Sequence, residues 1–279
     1  MNFFRHLVIP ALAVAAVATG CGHRSAAPAT DPSAYMPLDS IALADSVSRD
    51  GSQASVNIRL VYPVGGDAAA DSIRQWIADV MSAASAGEYG PTAFTASGAE
   101  SVPSVAREVA DSLLAMSARD FASMRSEMPD RDMSYTFDYS ADTVAVTPGY
   151  ATFSFSGYTY QGGAHGSAYV IPALFAIPSG RQITWDSLIA PGKQTQLLDM
   201  IRRALMEQYF EVSTTEALAD MLLVSPSEIQ LPAAGPALTP RGLEVIYQQY
   251  EIAPYAAGMP SCTIPMDDLR PLLDPSLHL

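Results

Sequence analysis

The sequence predicts an α+β protein: an antiparallel sheet with helices packed on one face. Three observations lead there. Met133, Tyr135, Phe137 and Tyr139 alternate strictly with small or polar residues, the period of a half-buried strand. Ile73, Trp76, Ile77, Val80 and Ala84 recur at helical spacing. Hydrophobic residues make up 49% of the 279, which supports a sizeable core and excludes general disorder.

Residues 1–20 are read apart from the fold. Arg5 is a positive start, Leu7 to Ala18 is an apolar run too short to span a bilayer, and Ala18-Thr-Gly-Cys21 closes it with the layout of an export signal. This ending resembles the lipobox of bacterial lipoproteins. The resemblance implies acylation of Cys21 and anchoring to one membrane leaflet through that lipid. With Cys21 lipidated, Cys262 has no intramolecular partner, so no disulfide is expected. Residues 21–38, rich in Ser, Ala and Pro, read as a flexible tether.

Residues 39–130 are expected to form a small α+β module. Val56, Ile58 and Leu60 share one side of a strand from Ala54 to Tyr62, stopped by Pro63. A helix follows over 67–86, then a Gly/Ser/Ala loop around Gly90–Gly98. A second helix capped by Ser101 or Ser104 carries Val105, Val109, Leu113, Met116 and Met124.

Residues 131–279 are expected to form a second α+β module. After the 133–139 strand, Pro148-Gly149 makes a turn. Phe153 and Phe155 then stand in one phase of a strand, with Tyr158 and Tyr160 in the other. Gly157 at the switch predicts a β-bulge that turns both tyrosines onto the phenylalanine face. A returning strand is expected over Tyr169–Ile177, a short one from Ile183, and helices over Gln194–Phe210 and Thr215–Leu223. A strand over Leu243–Ile252 and a last short helix over Met266–Leu273 complete the chain.

The formal charge is −14, from 15 basic and 29 acidic residues, and Lys193 is the single lysine. Such a body is expected to avoid nucleic acid and to attract cationic partners.

Candidate functional residues cluster in two stretches. In the first, Tyr158-Thr-Tyr160-Gln-Gly162-Gly163-Ala-His165-Gly166, the glycines permit positive φ and close approach, and His165 can donate or accept a hydrogen bond near neutral pH. The same stretch equally fits a plain connection between two strands. In the second, Tyr247-Gln-Gln-Tyr250 through Tyr255 and Gly258, tyrosines beside a glycine turn can present flat rings to a sugar or a protein. Alternatively Tyr247 and Tyr250 fill the interior. No metal-site, nucleophile-elbow or phosphate-loop motif occurs, so no metal or cofactor is expected. Asp186, Glu244 and Glu251 leave open a histidine–carboxylate pair for a hydrolytic or glycan-modifying enzyme.

These two stretches, with the Gly180 to Leu188 segment and the helix between them, resemble the extracytoplasmic module of RsiV-like anti-sigma factors and PdaC-type peptidoglycan deacetylases. Tyr160-Gln-Gly-Gly-Ala-His-Gly166 carries the likeness most specifically, and Tyr250-Glu-Ile-Ala-Pro-Tyr-Ala-Ala-Gly258 carries it second. The resemblance implies an α+β fold similar to a subdomain of the actin/Hsp70 ATPases without nucleotide loops, and in the anti-sigma factors the module binds lysozyme. Neither their sigma-binding segment nor the deacetylase domain is expected in this sequence. The expectation is therefore a cell-envelope lipoprotein, on the periplasmic face of the outer membrane. It would sense or bind a cationic lysozyme-like protein or a peptidoglycan-type glycan through Tyr158, Tyr160, Gly162, Gly163, His165, Gly166, Tyr250 and Tyr255. A structural envelope scaffold is the remaining alternative.

Overall fold

The computed structural model describes residues 35–85 and 101–277. The expected export signal, Cys21, most of the tether and the Gly90–Gly98 loop lie outside these residues. The chain enters the fold before residue 38: Met36 is buried in the core.

Six strands form the main sheet in the order of the chain: β1 (Leu38–Arg49), β2 (Ser52–Pro63), β3 (Ser134–Val146), β4 (Tyr150–Tyr160), β5 (Ser167–Ala176) and β6 (Gln182–Ile183). Every neighbouring pair is antiparallel except β2–β3. That parallel pair follows from the long connection between them, which contains α1 (Ala68–Ser85) and α2 (Ser101–Glu127). The sheet therefore runs unbroken through the sections 39–130 and 131–279.

Both helices bury their apolar stripes on one face of the sheet. Val56, Ile58 and Leu60 of β2, Phe137 and Tyr139 of β3, and Phe153 and Phe155 of β4 meet Ile73, Ile77 and Met81 of α1 and Val105, Val109 and Leu113 of α2. Trp76 is in this core, edge-on to Phe175 at 6.1 Å. Each such side chain contributes roughly 1.5–3 kcal/mol by leaving water. The predicted α+β class, with a mostly antiparallel sheet and helices, is the observed one.

A second core lies against the other face, at the β4–β6 end. There a three-stranded antiparallel sheet, β7 (Ala237–Thr239), β8 (Gly242–Ile246) and β9 (Ser261–Pro265), packs with α4 (Gln194–Gln208). The short helices α3 (Trp185–Leu188), α5 (Thr215–Ala219) and α6 (Met266–Leu269) complete this layer. Thr152 Oγ1, fully buried, donates to Leu238 O at 2.6 Å and ties β4 to β7. Cys262 is buried here too, and burial pushes its thiol up to about 12.

Two expectations require correction. The strand foreseen over Leu243–Ile252 ends at Ile246, and residues 247–258 form a docked loop with a 3₁₀ turn at Tyr255–Ala257. Gly157 is not a bulge: β4 pairs through it in unbroken register, with Tyr139 opposite on β3 and Tyr169 opposite on β5. The register shift falls between Thr143 and Ala145 instead. Tyr158 and Tyr160 consequently point to the face opposite Phe153 and Phe155. Gly157 lacks a side chain for a packing reason, since a Cβ there would lie 2.2 Å from Cζ of Tyr169, whose ring crosses it.

Candidate functional site

The glycine stretch is the hairpin loop from β4 to β5. Gly162 (φ +91°) and Gly163 (φ +97°) take left-handed conformations that side chains disfavour. The loop is closed by Tyr160, whose hydroxyl donates to Gly163 O at 3.2 Å. Gly166 is buried beneath the ring of Tyr158, which occupies the space a Cβ would fill.

The second stretch, residues 247–258, lies directly beside this loop, and its placement depends on side-chain amides. β6 pairs with β5 only at Leu174 and Phe175, which leaves the start of that β5 edge open. Gln248 and Gln249 take the missing partner's place. Val170 N–H donates to Gln248 Oε1 at 3.1 Å, Gln248 Nε2 donates to Val170 O at 2.8 Å, and Ala168 N–H donates to Gln249 Oε1 at 3.0 Å. Glu251 holds the segment from behind by accepting from Gln248 N–H and Ala233 N–H, each at 2.7 Å. Tyr247 is buried and donates to Gln230 O at 2.8 Å, so it belongs to the core.

Together these contacts assemble an aromatic ledge. Tyr255 donates to Gly166 O at 3.0 Å, and its ring stacks on His165 with centroids 3.8 Å apart and planes at 22°. Nδ1 of His165 lies 3.0 Å from the same Gly166 oxygen. Tyr250 stands 5.8 Å from Tyr255, is 56% exposed, and holds φ +65° without being glycine. Tyr158, 40% exposed, borders the ledge on the sheet side. All eight residues singled out from the sequence are thus brought together. Tyr158, His165 and Tyr250 are exposed there, with His165 above a main-chain oxygen, while Gly166 lies buried beneath them.

Two of the carboxylates considered for a pair with His165 are engaged elsewhere: Glu244 with Arg241 at 3.5 Å, and Glu251 with the backbone as described. Among the described residues, no group of three His, Cys, Asp or Glu could hold a metal ion, and no helix is long and apolar enough to cross a membrane.

Sequence reasoning missed Gln248, Gln249 and Glu251 as positioning residues. The signal was present, as a polar Gln-Gln pair between a core tyrosine and an exposed one, but its partner Val170 lies 78 residues away.

No curated protein matches the chain. Among solved structures, a member of the DUF3298 family from Bacteroides fragilis NCTC 9343 superposes with a TM-score of 0.68 at 20% identity, over 86% of this chain and 94% of that one. A DUF3298 family protein from Pseudomonas aeruginosa PAO1 superposes with a TM-score of 0.56 at 15% identity, over 87% and 97% respectively. These likenesses establish a shared fold. Residues 186–267, the layer that carries Tyr250 and Tyr255, match the family model described as "Protein of unknown function (DUF3298)", so the chain contains a DUF3298 domain within that fold.

Proposed function

We propose that this chain is a binding module of the cell envelope, and that the ledge of Tyr158, His165, Tyr250 and Tyr255 receives a peptidoglycan-type glycan. The observation that carries the reading is the stack of His165 on Tyr255 beside exposed Tyr250. Flat rings with polar tips, two of them fixed by a stack and a hydrogen bond to Gly166 O, suit the apolar faces and hydroxyls of a sugar. The resemblance to the RsiV-like and PdaC-type modules, with their actin/Hsp70-like architecture, supports the same reading. So does the lipobox-like Ala18-Thr-Gly-Cys21, which would anchor the module by lipid at the periplasmic face of the outer membrane.

A second reading is favoured by charge. At −14 the chain would steer a cationic lysozyme-like protein to its surface, with an association rate that falls as salt rises. Calorimetric titration with soluble muropeptides and, separately, with lysozyme tests both. Muropeptide binding that is lost in Tyr250→Ala supports the glycan reading. Salt-sensitive binding of lysozyme alone supports the second. Binding of neither leaves a structural scaffold and overturns both.

A further inference from the structure

Part of the main sheet's second face is uncovered. β7 packs over it at β3–β5, but toward β1 and β2 the outward side chains line a groove of about 460 Å³. That volume falls within the range of small-ligand sites. Asn57, Arg59, Asp138, Ser140, Ser156 and Tyr158 line it. The strand register sets them in two rows across β2, β3 and β4: Asn57, Asp138 and Tyr158 in one, and Arg59, Ser140 and Ser156 in the next.

The chemistry of these rows is specific. Asn57 Nδ2 donates to Asp138 Oδ1 at 2.7 Å, which orients both groups and leaves the amide oxygen and the second carboxylate oxygen as acceptors. Arg59 offers donors, and the two serines offer both roles. Tyr158 ends the row with an exposed ring. Arg59 is the one cation of the six and Asp138 the one anion, and Asp142 of the same β3 face lies near Arg59. Ala42 and Leu43 add aliphatic contacts along the β1 side, next to the Tyr158 ring at the other end. Alternating donors and acceptors at the strand spacing of about 4.8 Å, beside a flat ring, match the vicinal hydroxyls and C–H face of pyranose sugars. Two strand gaps span roughly 10 Å, the reach of two linked rings.

We propose that this groove is a saccharide subsite, continuous with the aromatic ledge through Tyr158, that takes an oligosaccharide of hydroxyl- and acetamido-bearing pyranoses laid across the strands from β4 to β2. The inference rests on the glycan reading above and assigns residues outside the ledge to it.

Calorimetric titration of the full chain with tetra-N-acetylchitotetraose tests it, using wild type, the double variant Asn57→Ala/Asp138→Ala, Arg59→Ala and Tyr250→Ala, with thermal melting as the folding control. The expected result is wild-type binding that weakens about tenfold or more in the double variant, the loss of a charge-assisted hydrogen bond or two. A smaller loss is expected in Arg59→Ala, which reports on the groove even if the double variant melts early. Should wild type bind while both groove variants bind as tightly, with loss only in Tyr250→Ala, the subsite is overturned and the ledge stands. Loss in the groove variants alone upholds the subsite and removes the ledge. No binding by wild type overturns both.

Discussion

The side-chain amide of Gln248 pairs with the backbone of Val170 as a strand residue would, donating to its carbonyl at 2.8 Å and accepting from its N–H at 3.1 Å. One glutamine thereby does what a longer β6 would do, and it leaves the main chain around it free to turn. That freedom lets Tyr250 and Tyr255 approach the glycine loop. Gln248→Ala strips both bonds and is expected to cost about 2 kcal/mol in urea denaturation. Gln248→Glu is expected to be worse, because a carboxylate would face the Val170 carbonyl. Hydrogen exchange at the Val170 amide should accelerate in both variants. Unchanged exchange would show that the pairing does not persist in solution.

Tyr169 and Gly157 make a reciprocal pair in the interior. The phenol ring fills the place of the missing side chain, its buried hydroxyl has no hydrogen-bond partner among the described residues, and burial pushes its ionisation up to about 12. Gly157→Ala is expected to destabilise by about 1–3 kcal/mol through overpacking, and Tyr169→Val should recover part of that loss. Tyr169→Phe removes an unsatisfied polar group and is expected to be neutral or stabilising. A melting temperature that falls sharply in Tyr169→Phe would reveal an unseen partner for the hydroxyl.

That pair also shows where sequence reading stops. A phase change at a glycine resembles a bulge when one strand is considered alone. Only the next strand supplies the ring that explains Gly157, while the true register shift at Thr143–Ala145 carries no glycine to mark it. β1 escaped notice for a similar reason. Ile41, Leu43 and Val47 do alternate, but an edge strand with one neighbour needs little burial, and Asp39 and Asp45 dilute its pattern. The strongly periodic helices and β3 were legible because their burial is nearly one-sided. At the site, the glycine loop and both tyrosine stretches were legible from composition. The stacking of His165 on Tyr255 was not, since it joins residues far apart in the chain.

Arg74 is a buried cation in the first core, 1% exposed. It donates to Pro63 O and Gly65 O at 2.8 Å each and pairs with Asp71 at the surface. It therefore joins the start of α1 to the end of β2. Arg74→Leu leaves two inward carbonyls unpaired and is expected to cost about 2–4 kcal/mol. Asp71→Asn keeps those bonds and should cost less. Equal losses in the two variants, measured by denaturation, would mean that the ion pair and not the carbonyl clamp holds this corner.

Asp142 supplies a pH dependence. Partial desolvation raises the carboxyl of this surface residue above the ordinary value, and the nearby Arg59 guanidinium only partly offsets the shift. A raised value in the folded state means that the fold binds this proton more tightly than the unfolded chain does. Stability is lost as pH climbs from the unfolded value of about 4 through the folded one. Asp142→Asn is expected to raise the melting temperature slightly at pH 7 and to give no gain near pH 3, where the carboxyl is protonated in both states. A gain of the same size at both pH values would rule out ionisation as its cause.

Tyr250 combines exposure with backbone strain. An aromatic residue at φ +65° costs about 1–2 kcal/mol relative to an unstrained conformation, and its ring, 56% exposed, recovers little of that by burial. Glycine at this position would relax the turn but increase the freedom of the unfolded chain, so Tyr250→Gly is expected to stabilise by less than about 1 kcal/mol. Under the glycan reading the same substitution should weaken muropeptide binding, because the ledge loses its outermost ring. A stabilised variant with weakened binding would mark a residue kept for recognition at the expense of stability. A destabilised one would show that the ring contributes packing that outweighs the strain of its backbone.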